Sequence, residues 1–209
     1  LIFAMHEKAL TKQAADFFPR FAKFKGFYLV GGTALALQIG HRLSVDFDLF
    51  SSKDLPHNLL RQVKRLFPGF SISVTYRSPE QLNVLIGNIQ TTFFFYEYSV
   101  IDSFVEYQGV CMASTREIAA MKAFSVGKRL SYKDYVDWYF LLKEGHVKLD
   151  EVIPLCQKKF GGDFNDRLFL GQLVSLEDIP MQKIDFLRDR VERATIQQFL
   201  MDAVRNFKL

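Results

Sequence analysis

An α/β core with a mixed sheet, followed by an all-helical half, is the fold class that three features of this 209-residue sequence predict. Residues 27–50 read as strand, Gly-Gly turn, short helix and strand. From there to about residue 112, period-two alternation recurs, broken by turn signals. At Ala113 the texture changes to helical periodicity, which sets expected domains at 1–112 and 113–209.

Taken in order, residues 9–25 carry Ala14, Phe17, Phe18 and Phe21 at helical spacing, so they predict a helix interrupted near Pro19 that covers the sheet. Residues 27–30 are apolar strand formers that Gly31 and Gly32 interrupt. Thr33 is expected to cap a helix through Ala34, Leu35, Ala36, Leu37 and Gln38, and Gly40 to end it. A strand over 44–50 then places Asp46 and Asp48 on one face, with Val45, Phe47 and Leu49 on the other. Leu59, Leu60, Val63, Leu66 and Phe67 trace a helical stripe that Pro68-Gly69 stops. Strands follow at 70–76, 82–86 and 89–98, with Gly87-Asn88 turning between the last two, and one more at 105–112. In the second half, Ser114 and Glu117 form a capping-box pattern, Ser131 and Asp134 mark another helix start, and further helices are expected near 149–160, 164–173 and 184–207.

The chemistry concentrates between residues 31 and 48. Two carboxylates ~7 Å apart on one strand face can jointly hold divalent cations, and Mg²⁺ favours carboxylate oxygens together with substrate phosphates. The amides of Gly31, Gly32 and Thr33 open a helix, where the dipole and unpaired N–H groups favour an anion such as a triphosphate. Arg42 adds a planar fork for phosphate oxygens. An Asp-x-Asp or a Gly-Gly alone is commonplace; their ordered combination is far more specific. In the helical half, Lys122 interrupts an apolar face and either snorkels to solvent or serves a site, while Asp134 either caps its helix or joins Lys122, Lys128, Arg129, Lys133 and Asp137 in a polar cluster.

Composition bounds the alternatives. The chain is 49% hydrophobic with 22 Phe and 8 Tyr, ample for a core. A net charge of +4 and a pI near 9.0 permit a polyanionic partner. Cys111 and Cys156 are too few and too far apart for a disulfide framework or a zinc site. No apolar run nears the ~20 residues of a membrane span and no secretory leader is visible, so a soluble, cytoplasmic protein without a membrane partner is expected. Leu1 is an unusual start, and the natural N-terminus is expected upstream of it.

The runs LVGGTALALQIGHRLSVDFDLF, STREIAAMKAFSVGKR and KDYVDWYFLL, in that order over the first ~145 residues, resemble the AbiEii/AbiGii-type nucleotidyltransferase toxins of the DNA polymerase beta-like nucleotidyltransferase superfamily. The resemblance implies a metal-dependent enzyme, using Mg²⁺ or Mn²⁺, that moves a nucleoside monophosphate from an NTP to an RNA, protein or small-molecule hydroxyl. Toxins of this kind act in abortive-infection or toxin–antitoxin systems, so it also implies a cognate antitoxin, and tRNA or another RNA as acceptor. By the same resemblance Gly31, Gly32, Thr33, Arg42 and Ser44 bind nucleotide, Asp46 and Asp48 bind metal and act catalytically, and Lys122, Asp134 and Asp137 complete the functional set. Superfamily members commonly carry a third carboxylate on a later strand, where this chain has Thr92. Glu97 has the opposite parity, so either a bulge re-aims it or the third acid is absent; in the latter case the chain is a catalytically weakened nucleotide- or RNA-binding module.

Overall fold

The computed structural model describes residues 5–207, so Leu1 lies outside the described residues. The chain forms two compact units, one running to Ser99 with Ser103–Ala113 added, the other comprising Val100–Asp102 and the chain from Ser114 onward. Among the described residues no helix is long and apolar enough to cross a membrane.

The first unit is a seven-stranded mixed sheet in the order β3-β4-β5-β2-β1-β7-β6. Its strands are β1 (Tyr28–Val30), β2 (Phe47–Ser51), β3 (Ile72–Arg77), β4 (Gln81–Ile86), β5 (Ile89–Phe95), β6 (Phe104–Tyr107) and β7 (Val110–Ala113). β2 runs parallel to β5 and β1 parallel to β7, while the other neighbours are antiparallel. The helices of this unit are α1 (Lys12–Phe17), α2 (Gly31–Ile39) and α3 (Leu59–Leu66).

Period-two alternation decides which face of the sheet holds the core. Phe47, Leu49, Leu82, Val84, Ile86, Thr91 and Phe93 point one way and are buried. Phe18 and Phe21 pack on Phe47, and Phe24 and Phe27 pack on Phe93. Phe18 and Phe21 lie in the stretch Phe18–Lys23, and Phe24 caps it; it winds as a 3-10 helix after α1 because Pro19 sits in its first turn and cannot donate the bond that would continue an α-helix. Asp48, Phe50, Asn83, Thr92 and Phe94 alternate to the opposite face and are half-buried.

Several sequence expectations shift here. The strand expected at 105–112 is a hairpin, β6 and β7, turned by Gln108 and Gly109, whose φ of 48° and 77° are the positive pair that a type I′ turn needs. The strand expected at 89–98 ends at Phe95, and that expected at 44–50 begins only at Phe47, leaving Asp46 just ahead of it.

The second unit is helical: α4 (Thr115–Ser125), α5 (Tyr132–Lys143), α6 (Leu149–Phe160), α7 (Asp166–Val174) and α8 (Arg193–Asn206). Trp138, Tyr132, Tyr135, Phe169, Leu173, Ile196 and Leu200 are its buried centre, and the Tyr135 hydroxyl lies 3.0 Å from the Gln172 carbonyl. The helix expected over 184–207 starts only at Arg193.

Candidate active site

The site in the first unit is built where β1 feeds α2. Gly31 takes φ +74°, a left-handed value that glycine alone adopts without strain, and a Cβ there would lie 2.5 Å from Asp48 Oδ2. The Asp48 carboxylate therefore lies against the first residue of α2, within reach of the helix's positive end. A Cβ on Gly32 would meet Arg42 Nη2 at 2.5 Å and Ser44 Oγ at 3.3 Å. Arg42 is 3% exposed and donates to the Leu43 carbonyl. The two glycines thus make room for a carboxylate on one side and a guanidinium on the other.

Thr33 does not cap α2. The helix starts at Gly31 with Val30 as its N-cap and no side-chain capping bond, so Thr33 already sits inside the first turn. Its hydroxyl bonds the Asp46 carbonyl and lies 2.9 Å from Ser44 Oγ. Thr33 and Ser44 thereby tie the start of α2 to the segment that carries Asp46, whose side chain is exposed. Gly40, at φ +64°, ends the helix as expected.

Sheet register places the remaining residues. One row across the strands reads Val30, Asp48, Thr92 and Asn83; the next reads Tyr28, Phe50, Phe94 and Gln81. Thr92 therefore stands directly beside Asp48 on the neighbouring strand. β5 pairs without a register shift, through Thr91–Phe95 on the β2 side and Ile89–Phe94 on the β4 side, so no bulge re-aims Glu97, which is exposed beyond the strand end. Of the two readings the sequence left open, the re-aimed glutamate is not observed. Among the described residues no cluster of three or more His, Cys, Asp or Glu side chains could hold a metal.

In the second unit, Lys122, Asp134 and Asp137 come together on α4 and α5 as a buried ion network. Lys122 Nζ lies 2.8 Å from Asp134 Oδ1 and 2.6 Å from Asp137 Oδ2, and Arg129 Nε lies 2.7 Å from Asp134 Oδ2. Lys122 does not snorkel, since its side chain is 5% exposed. Asp134 stands in the first turn of α5, but its carboxylate is spent on Lys122 and Arg129. Burial opposes the Lys122 charge, yet the carboxylates of Asp137 and Asp134 outweigh it and hold its pKa above the ordinary lysine value. Burial likewise opposes the Asp134 charge, and Lys122 and Arg129 nonetheless hold its pKa below the usual carboxylate range.

A second buried pair went unread in the sequence. Glu117 and Lys159 meet at 2.5 Å with both side chains fully buried. Ser114 caps α4 by accepting from the Glu117 N–H, but the return half of the box is absent. The Glu117 carboxylate instead accepts from the N–H groups of Ile101 and Asp102. Lys159 near the end of an otherwise apolar α6 stripe was the signal, and only its partner was invisible. Arg129, read as one of several cluster cations, joins Lys122 in engaging Asp134.

This constellation, a mixed sheet with a Gly-Gly helix start and an adjacent Asp-x-Asp, in a chain whose second unit is helical, defines a nucleotidyltransferase-like architecture. The family model for the AbiEii toxin nucleotidyl transferase of type IV toxin–antitoxin systems matches residues 14–101. An uncharacterized protein of Aquifex aeolicus (strain VF5), aq_aa25, is 34% identical over 158 residues, spanning 73% of this chain and 74% of its own. The chain belongs to the AbiEii nucleotidyl transferase family. A crystal structure from H. pylori, provisionally described as a nucleotidyltransferase, superposes with a TM-score of 0.61 at 19% identity over 93% of this chain and 94% of that one. JHP933 from Helicobacter pylori superposes with a TM-score of 0.54 at 18% identity, covering 94% of each chain. At those identities the likeness is one of fold.

Proposed function

We propose that this chain transfers a nucleoside monophosphate from an NTP to an acceptor hydroxyl, with the chemistry in residues 1–112 and a supporting helical domain over 113–209. The observation that carries the reading is the packing of the Asp48 carboxylate against Gly31 at the start of α2, one residue from the Arg42 guanidinium. That juxtaposition sets carboxylate oxygens for a cation beside a helix N-terminus and a guanidinium for polyphosphate.

The donor set fits Mg²⁺ or Mn²⁺ of the kind that takes two carboxylates and completes its shell from substrate phosphates and water, with Asp46 and Asp48 as the protein ligands. When bound, such a cation neutralises charge on the phosphates and lowers the pKa of the attacking hydroxyl. The amides of Gly31 and Gly32 hold the polyphosphate, and Arg42 supplies a cation to its oxygens. Thr33 and Ser44 keep the Asp46 segment in register with α2. The acceptor oxygen bonds to the α-phosphorus as the bond to pyrophosphate breaks, and the acceptor proton must be removed. Thr92, beside Asp48, can orient a hydroxyl by hydrogen bonding, but a threonine cannot take that proton as a carboxylate would. The proton is left to water. Lys122, Asp134 and Asp137 act in the helical domain as one network that fixes the start of α5.

The chain would work in the cytoplasm as the toxin of a toxin–antitoxin pair. The place of Thr92 favours a second reading, in which nucleotide is bound but turnover is slow. Incubation with each labelled NTP, Mg²⁺ and total RNA tests both. Labelled RNA that disappears with EDTA or with Asp48→Asn supports transfer. Binding without label in any acceptor, restored to transfer by Thr92→Asp, supports the second reading.

A further inference from the structure

Asp46 lies just outside the sheet and must be fixed by other means than Asp48. Residues 43–46 are neither helix nor strand, so no ladder of backbone bonds holds the first aspartate as β2 holds the second. Bonds from other parts of the first unit hold this segment instead. Thr33 donates to the Asp46 carbonyl and lies 2.9 Å from Ser44 Oγ, while the Ser44 N–H donates to the Ala9 carbonyl at 2.9 Å. Ala9 ends a single 3-10 turn, Glu7–Ala9, that is itself held at three points. The His6 N–H donates to the Leu37 carbonyl in the last turn of α2, at 2.8 Å. The His6 ring lies over Gly40, where a Cβ would come within 2.4 Å of its Cγ and Nδ1. The Tyr107 hydroxyl of β6 donates to the Glu7 carboxylate. Ala9 is fully buried and Leu10 nearly so, which keeps the turn down on the unit. Burial alone does not require the Ala9 carbonyl to meet Ser44.

We propose that residues 6–10 are a strap that positions Asp46 for metal binding, with His6 and Ala9 as positioning residues. The proposal rests on the reading of Asp46 and Asp48 as metal ligands and adds what holds the first of them in place. The path is short. The strap is seated on the end of α2 at Leu37 and Gly40 and reaches Ser44, so it braces the loop that leads from α2 to β2. Ser44 and Thr33 carry the constraint on to Asp46. Asp48 needs no such brace, because its strand pairs with Val30 on one side and Thr92 on the other. Lifting the strap therefore loosens one carboxylate and leaves the other, with the start of α2, where it is. Partners that orient a metal ligand without touching the metal typically matter 10–100-fold for metal affinity. The signature of the strap is thus a weaker hold on the cation rather than on the nucleotide.

The test is calorimetric titration of each of the four NTPs into the full chain over a series of Mg²⁺ concentrations. Ala9→Leu adds bulk at a fully buried position and should lift the strap, while His6→Ala removes the ring that seats it on Gly40. Each is expected to raise the Mg²⁺ concentration for half-maximal NTP binding by about 10- to 100-fold. NTP affinity at saturating Mg²⁺ should stay near that of the unmodified protein. Ala9→Gly, which keeps the carbonyl and adds no bulk, should retain the unmodified Mg²⁺ requirement. Circular dichroism melts establish that each variant is folded, and should Ala9→Leu fail to fold, His6→Ala decides. An unchanged Mg²⁺ requirement in His6→Ala or in folded Ala9→Leu would overturn the proposal. So would a loss of NTP affinity that saturating Mg²⁺ does not restore, which would give the strap a general part in holding the first unit together. Failure of the metal-site reading registers separately, as absence of Mg²⁺-dependent NTP binding by the unmodified protein.

Discussion

Replacing Lys122 with methionine should destabilise the helical unit strongly, and the structure sets the scale. The lysine side chain is 5% exposed and sits within 2.8 Å and 2.6 Å of two carboxylates, of which Asp137 is fully buried. Methionine keeps most of the volume and removes the charge, so the cost is electrostatic: two buried carboxylates lose a cation, and Asp134 keeps only Arg129. Breaking a buried pair by deleting one partner typically costs ~3–5 kcal/mol. For a chain of this size that corresponds to a fall in Tm of about 6–20 °C. The chain's single tryptophan, Trp138, is buried in α5 next to Asp137, so its fluorescence reports the unfolding of this unit in urea or on heating. In the double variant Lys122→Met/Asp137→Leu the loss should shrink, because the carboxylate left without its lysine is gone too. The same network gives stability a defined pH window. Asp134 is held below its ordinary 3.8, so its contribution is complete above that value and is lost as pH falls through the lowered one. Lys122 is held above its ordinary 10.5, so its contribution is complete below that value and is lost as pH rises through the raised one. A Lys122→Met protein within about 1 kcal/mol of the unmodified one, or a double variant less stable than the single, would refute this account of the network.

Three further outcomes are expected. Gly31→Ala should abolish Mg²⁺-NTP binding in calorimetry, since the added methyl meets the Asp48 carboxylate at a backbone angle unsuited to alanine, whereas Gly32→Ala should weaken it less because the clash falls on the movable end of Arg42; the reverse order would contradict the geometry. Thr91→Val should stabilise the first unit by about 1–2 kcal/mol in a thermal melt, because the Thr91 hydroxyl is fully buried without a hydrogen-bond partner; a loss of stability would mean that the hydroxyl is satisfied. With a thiol reagent in native buffer, exposed Cys111 should react quickly and Cys156 only on unfolding, since burial and the nearby Glu117 push the Cys156 thiol up to about 12; two equally fast thiols would disagree.

The strand–Gly-Gly–helix–strand core was legible because local rules govern it: Gly31 and Gly40 take the positive φ values that glycine supplies, and Phe47, Leu49, Asp48 and Phe50 alternate as a half-buried strand should. Thr33 misled because a hydroxyl after two glycines matches a cap, whereas Gly31 turns tightly enough to start the helix itself and frees Thr33 to hold the Asp46 carbonyl. The hairpin of β6 and β7 was hidden because its turn uses Gln108 at φ 48°, a residue that carries no turn signal. Pairing across the chain lies outside any local pattern. The Asp48–Thr92 row depends on register, and the Glu117–Lys159 pair joins residues 42 positions apart, so neither could be read from spacing.

The central claim is that Asp48 and the start of α2 form a metal-dependent NTP site, and calorimetric titration of Mg²⁺-NTP into the unmodified protein and Asp48→Asn tests it most directly. The account predicts saturable binding that needs the metal, and its loss in Asp48→Asn while Trp138 fluorescence shows both proteins folded. Equal binding by the two, or binding that persists undiminished in EDTA, would contradict it.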